Sequence, residues 1–271
     1  MDTGIIIQAR RSSTRLKDKV IMKLPASGDI SMLGRVIMRS KLACENVIVA
    51  TSDLSEDDAV ELEAKKYGAK VFRGSLDDVL LRYIKAAEKY NIKRIVRITA
   101  DCPCIDGEVI KMAIKQHKET GVDYVSNVEK RTFPHGLDTE VISLEALIKT
   151  DNEEKDIKVR EHVTWHVRKS DKYSKLDILE RDGNDYSNIR VTVDTVEDYA
   201  LMNLIYLMLG ENFNYKDIVN LFNNNKWLET INKNIYQKYV CGSEKEEIDE
   251  ALKLLKLNGL EKAYKLLENV K

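Results

Sequence analysis

Short apolar runs and longer amphipathic stretches alternate along the first half of the chain, the pattern of successive βαβ units feeding a mainly parallel sheet. The run Gly4-Ile5-Ile6-Ile7 predicts a buried first strand. Residues 46–50 predict a second strand, followed by a helix over 55–67 that Ser55 caps and Gly68 stops. Residues 69–72 form a short third strand, and 77–90 an amphipathic helix with Val79, Leu80, Tyr83, Ala86 and Ala87 on one face. A fourth strand over 93–99 ends at Ala100-Asp101-Cys102-Pro103. Asp106 then caps a helix that Gly121 closes, and a fifth strand starts at Tyr124.

From about residue 127 to 187 the rhythm breaks. Arg131-Thr132-Phe133-Pro134-His135-Gly136-Leu137-Asp138 is turn-rich, a strand is expected near 140–142, and a charged helix over 160–169. This reads as a lobe inserted before a last core strand at 189–193. Thr195 caps the next helix, with Asp198 as its N3 partner. Beyond Gly210 the chain is helical and rich in Asn and Lys, with an apolar stripe of Leu252, Leu255, Leu260, Tyr264 and Leu267. The expected fold class is therefore α/β, a doubly wound and mostly parallel sheet. It comprises a core over 1–209, the lobe at 127–187, and a helical C-terminal extension over 210–271.

Composition changes this picture little. A net charge of -1 on 271 residues argues against a general nucleic-acid binder, so any attraction to phosphate must be local. No stretch approaches the roughly 20 apolar residues of a membrane span, and no signal-like segment precedes the first strand; a cytoplasmic location is expected. Cys44, Cys102, Cys104 and Cys241 are too few and scattered for a disulfide framework, and Cys102-Pro103-Cys104 lacks zinc-knuckle spacing.

The chemistry concentrates at two places. Strand one runs into Gln8-Ala9-Arg10-Arg11-Ser12-Ser13-Thr14-Arg15-Leu16-Lys17-Asp18-Lys19. Ligands of open α/β sheets bind beyond the carboxyl ends of strands, and this loop offers backbone amides, hydroxyls and cations suited to a polyphosphate. Asp101 follows strand four and Asp194 follows the expected last strand. The sheet brings such ends together, and Mg²⁺ takes one or two carboxylates plus phosphate oxygens. His162 and His166 stand four apart without the Glu of a zinc-protease motif, so a helix-surface pair is expected.

Gln8-Ala9-Arg10, Ser13-Thr14-Arg15-Leu16 and Lys19-Val20 resemble the opening signature of cytidylyltransferases that activate sugar acids, of the acylneuraminate and deoxy-octulosonate type. The spore-coat polysaccharide branch is most similar, although Ser12 and Lys17 stand where that branch usually carries Gly and Pro. Ala50-Thr51-Ser52-Asp53, Phe72-Arg73-Gly74-Ser75, Thr99-Ala100-Asp101-Cys102-Pro103, Arg131 to Asp138, Arg160-Glu161-His162-Val163-Thr164 and Val193-Asp194-Thr195 carry the resemblance further, from about Gly4 to Met208. It implies a Rossmann-like nucleotide-diphospho-sugar transferase fold and CTP as substrate. It implies Gln8, Ala9, Arg10, Ser13, Arg15, Lys19, Arg73 and Ser75 at the nucleotide, with backbone groups at the end of strand one reading the base. Asp101 and Asp194 would hold Mg²⁺, and Arg15 and Lys19 would act with them in catalysis. Arg131, His135, Asp138, Arg160 and His162 would face an acidic or phosphorylated sugar-like acceptor. The lobe would also pair two subunits, with Phe133, Pro134, Leu137 and Trp165 as apolar contacts.

Rival readings lack their marks. The first turn has no glycine-rich dinucleotide fingerprint and the chain has no P-loop. A nucleotide-sugar glycosyltransferase usually shows Asp-X-Asp, and no two Asp residues here are separated by a single residue. A non-catalytic sugar-nucleotide binder is the alternative from another class.

Overall fold

The computed structural model describes residues 2–13, 15–235 and 244–269. Thr14 and Cys241 lie outside them. The chain divides into two compact units, Met1–Lys233 and Asn234–Lys271.

In the first unit seven strands form one sheet: β1 (Thr3–Gln8), β2 (Val47–Ser52), β3 (Lys70–Gly74), β4 (Arg94–Thr99), β5 (Tyr124–Ser126), β6 (Glu140–Ser143) and β7 (Lys175–Asp177). Their order is β3-β2-β1-β4-β6-β5-β7. The β1–β2, β2–β3 and β1–β4 pairs are parallel, while β6 runs antiparallel to β4 and β5. This is the expected α/β class. With β2 on one side of β1 and β4 on the other, the strand order reverses at β1, which opens a crevice at the carboxyl ends of β1 and β4. Gln8 pairs with Thr99, so the loops after these strands leave side by side.

Alternation along β1 builds the two layers. Ile5 and Ile7 join the larger cluster with α1 (Met32–Lys41), α2 (Asp58–Lys66), α4 (Gly107–Thr120), α8 (Val196–Leu209) and α9 (Tyr215–Asn224). Ile6 faces the opposite cluster with α3 (Val79–Lys89), α5 (Leu144–Glu153) and α7 (Trp165–Lys169). Asp78 caps α3 by accepting from Leu81 N, and Asp106 caps α4.

Four differences from the sequence reading have physical reasons. Helix α1 has no counterpart in that reading. It carries two buried arginines, Arg35 and Arg39, whose guanidinium groups donate to the Leu24, Ile105 and Phe213 carbonyls and to Glu211. Ser55 does not cap α2; it lies in a 3-10 turn, and Asp57 stands at the α2 N-terminus. Residues 127–187, expected as an inserted lobe, supply β6 and β7 to the main sheet. Residues 189–193 form no ladder strand but an extended segment with a single parallel bridge between His135 and Arg190. It is pinned by His135 N to Ile189 O at 2.8 Å, Val191 N to His135 O at 2.7 Å and Val193 N to Asp101 O at 2.8 Å.

The first unit also runs past the expected boundary at 209, since Tyr215, Ile218 and Phe222 of α9 are in its core. α10 (Glu229–Asn232) lies near its end. In the second unit α11 (Glu244–Leu257) and α12 (Glu261–Glu268) pack on each other, with Leu252 buried and Leu260 exposed. No helix among the described residues is long and apolar enough to cross a membrane.

Candidate active site

Lys19 is the centre of the crevice. It opens a 3-10 turn (Lys19–Ile21) preceded by Asp18 in the left-handed region at φ 59°, and it is 8% exposed. Its ammonium donates to Asp101 Oδ2 at 3.0 Å, to Asp194 Oδ1 at 3.1 Å and to the Val193 carbonyl at 2.7 Å, which uses all three protons. Arg15 Nη2 reaches Asp194 Oδ1 at 3.1 Å. Two carboxylates 93 positions apart in the chain thus converge on one buried cation. Burial alone would raise the Asp101 carboxyl; the Lys19 charge and hydrogen bonds from Thr99 and Lys19 outweigh it and hold the group below the usual carboxylate range. Burial pulls Lys19 down, and the charges of Asp101 and Asp194 more than restore it, so its pKa is raised.

A second layer holds Asp194. Arg190 Nη2 donates to Asp194 Oδ2 at 2.9 Å, and Arg190 also forks onto Asp198, its Nε and Nη2 each 2.9 Å from the carboxylate. Asp198 is fully buried. It accepts in addition from the Asp194 and Thr195 backbone amides and from Asn232 Nδ2 at 2.8 Å, while completing the Thr195 capping box. Arg190 and Asn232 escape the sequence reading. The four-residue spacing of Arg190 and Asp194 was a usable signal; nothing local marks Asn232, which arrives from α10.

The segment before β6 adds a further pair. Arg131 forks onto Asp138, with Nη2 to Oδ2 at 2.9 Å, and the Gly136 amide also donates to Asp138. Against the effect of burial, the Arg131 charge and its hydrogen bonds hold the Asp138 carboxyl far below the usual range. Gly136 has φ 115°, and a Cβ there would lie 2.5 Å from the Val191 carbonyl, so only glycine lets the two segments meet. Burial, more than the nearby Arg131 and Arg190 charges, lowers the His135 pKa, so the ring is neutral near pH 7. Arg190 Nη1 lies 3.3 Å from His135 Nδ1; because a guanidinium only donates, Nδ1 accepts and Nε2 carries the proton.

Other candidates are placed differently. Arg73 directs Nε to the Ser52 carbonyl at 3.0 Å, Nη2 to the Leu54 carbonyl at 2.7 Å and Nη1 to Glu61 at 3.1 Å and to Asp58, so it ties β2, β3 and α2 together. Ser75 Oγ accepts from Asp78 N just before α3. Arg160 ends α6 (Ile157–Arg160), is buried, and clamps Asp78 at 2.7 Å, Asp151 at 2.6 Å and the Glu154 carbonyl at 2.9 Å. His162 lies in the turn between α6 and α7 beside Glu161, which pairs with Arg10 at 2.9 Å. The Ser13 amide closes a tight turn onto the Arg11 carbonyl. Ala9 is buried; its amide donates to the Ala50 carbonyl, and the Gln8 carbonyl accepts from Ala100 N, so these two backbone groups are not available to a base. His166 is flanked by Glu153 and Glu154 rather than His162. Phe133, Pro134 and Leu137 are buried, Phe133 packing edge-on against Tyr215, and Trp165 is covered by Arg168 and Lys169. Phe133, Pro134 and Leu137 are thus not the exposed contacts expected for subunit pairing, while Trp165 is half-buried.

Among the described residues no three His, Cys, Asp or Glu side chains cluster as a metal centre. Asp101 and Asp194 nevertheless fit a hard divalent cation that completes its shell with phosphate and water, because their oxygens already converge on a cation.

A crevice that can gather a polyphosphate, between a basic loop and a pair of carboxylates at a strand switch point, is built for nucleotidyl transfer. The family model for cytidylyltransferases matches residues 4–266. The chain is 32% identical over 231 residues to the spore coat polysaccharide biosynthesis protein SpsF of Bacillus subtilis, covering 83% of this chain and 95% of that protein. A cytidylyltransferase structure from Leptospira borgpetersenii superposes with a TM-score of 0.80 at 34% identity, covering 88% of this chain and all of that one. A CMP:2-keto-3-deoxy-manno-octonic acid synthetase solved with CTP shares the fold at a TM-score of 0.55 and 12% identity, over 78% of this chain and 100% of that one. The protein is a nucleotidyltransferase and belongs to the cytidylyltransferase family. The match continues well past Met208, so the family resemblance extends into the C-terminal helices.

Proposed function

We propose that the protein transfers CMP from CTP to an acidic or phosphorylated sugar-like acceptor. The acceptor oxygen attacks the α-phosphorus in line, the bond to the bridging β-phosphate oxygen breaks, and pyrophosphate leaves. The observation that carries this reading is the convergence of Lys19, Asp101 and Asp194 at the switch point, beside the basic loop of a cytidylyltransferase-family chain. Arg15, and Lys19 once a metal takes over its two carboxylates, neutralise charge gathering on the departing pyrophosphate. Mg²⁺ held by Asp101 and Asp194 would supply Lewis-acid stabilisation of phosphate charge. The Arg131–Asp138 pair and His135 shape the acceptor side. His135 presents Nε2–H, so it serves as a hydrogen-bond donor and not as a base; a phosphate acceptor needs no base at all.

The product would enter surface polysaccharide or glycoconjugate assembly, as the name of the Bacillus subtilis relative suggests for that protein. The reading has the enzyme acting in the cytoplasm as a homodimer, which sedimentation velocity tests. Mass spectrometry of products from CTP with keto-sugar acids and polyol phosphates tests the reaction itself: a CMP-linked product plus pyrophosphate is expected. Equal calorimetric affinity for CTP, ATP and GTP would overturn the cytidylyl assignment.

A further inference from the structure

Arg82 lies in the first turns of α3 and is 1% exposed. Its Nη1 donates to the Ser75 carbonyl at 2.7 Å, but Nε and Nη2 have no hydrogen-bond partner. A buried guanidinium with one whole edge unmet is costly, and such a group in a native fold calls for an explanation. Gln8 Oε1, at the end of β1, is also buried and without a partner. Gln8 shares with Ile6 the sheet face on which α3 packs, and the hydroxyl of Tyr83, next to Arg82, reaches the Ile6 carbonyl at 3.3 Å. Arg10, two residues beyond Gln8, is near enough for its charge to act on Arg82. Gly74, at the end of β3, makes room for the side chain: a Cβ there would stand 3.3 Å from Arg82 Cγ. The unmet groups therefore lie at the carboxyl ends of β1 and β3, on the ligand edge of the sheet.

Between them these groups offer two donors on one guanidinium edge and one acceptor. Cytosine presents the complement along one edge, with O2 and N3 accepting and the N4 amino group donating. Uracil offers N3–H and O4 instead, which sets donor against donor and acceptor against acceptor. The Ala9 amide and the Gln8 carbonyl are already engaged, which leaves room for side chains to do the reading. We propose that Arg82 and Gln8 select the base: Arg82 Nε and Nη2 donate to O2 and N3 of cytosine, and Gln8 Oε1 accepts from its N4 amino group. The proposal rests on the CTP reading above and adds to it the side chains that distinguish cytosine from uracil.

The test is calorimetric titration of the whole protein with CTP, UTP and inorganic tripolyphosphate. Arg82→Lys keeps the buried charge and loses the planar fork; Gln8→Met keeps the shape and loses the acceptor. The wild type should bind CTP at least about tenfold more tightly than UTP. Each variant should lose CTP affinity by roughly 10- to 100-fold, with the CTP-to-UTP ratio falling towards one. Tripolyphosphate affinity should stay within about twofold, which shows that the fold and phosphate loop are intact. A wild-type CTP-to-UTP ratio in both variants would overturn the proposal, as would an equal loss of tripolyphosphate binding. A wild type without CTP preference would bring down the cytidylyl reading itself, and that outcome is visible before any variant is made.

Discussion

Replacing Lys19 by Met removes the buried cation that bridges the Asp101 and Asp194 carboxylates. The ammonium lies 3.0 Å from Asp101 Oδ2 and 3.1 Å from Asp194 Oδ1, so these oxygens stand within about 6 Å of each other. At an effective dielectric of about 20, two unit charges at that distance repel by about 3 kcal/mol. Losing the buried partner and its hydrogen bonds has a comparable cost, about 3–5 kcal/mol in similar cases. The two figures overlap, so a destabilisation of about 3–5 kcal/mol is expected near neutral pH. For a unit of this size that lowers Tm by roughly 6–20 °C. Adding Asp194→Asn to Lys19→Met should recover part of the loss, because the repulsion disappears. Millimolar MgCl2 should raise the Tm of Lys19→Met more than that of the wild type, since a divalent cation can take the place of the ammonium. Thermal denaturation with and without MgCl2 reads all three effects. A Lys19→Met protein within about 2 °C of wild type, with no magnesium response, would refute the claim that this lysine neutralises a cation-binding pair.

The remaining predictions concern the rest of the crevice. Asp101→Asn and Asp194→Asn should fold, yet lose roughly two or more orders of magnitude in turnover, with a changed Mg²⁺ dependence measured by pyrophosphate release. Arg73→Ala and Arg160→Ala should behave as stability variants: unfolding in urea should show losses of roughly 1–5 kcal/mol, and the CTP and acceptor Michaelis constants should move less than about threefold. A large rise in either constant with unchanged stability would return these residues to the ligand. His135→Gln should slow turnover without reshaping the pH profile above pH 7. The folded ring has its pKa below the ordinary value of 6.5, so it is already neutral there and has no further proton to lose. A rate limb between pH 7 and 8 that vanishes in the variant would show His135 to be a base after all.

Local sequence determined the layers of this protein. Continuous apolar runs such as Ile5-Ile6-Ile7 and Val47 to Ala50 mark strands buried on both faces, and amphipathic spacing such as that of α3 states which helix face meets water. That information is local, as are the Thr195–Asp198 capping box and the helix stop at Gly121. The α/β class and the basic loop after β1 were legible for this reason. So was the placement of Asp101 and Asp194 after extended segments. Tertiary structure decided what each charged side chain meets. Arg35 and Arg39 break the polar pattern of α1 because carbonyls from distant loops receive them, and the helix is invisible without those partners. Arg73 and Arg160 look like ligand-binding cations in sequence, yet neighbouring helices and loops engage most of the donors of Arg73 and all of those of Arg160. Arg82 looks like a surface helix charge, yet it is buried with an edge unmet. Asn232 completes the support of Asp194 from far along the chain. Hydrophobic periodicity depends on a residue's own neighbours in sequence, whereas the fate of a hydrogen-bonding group depends on whichever partner the packed fold brings within 3 Å.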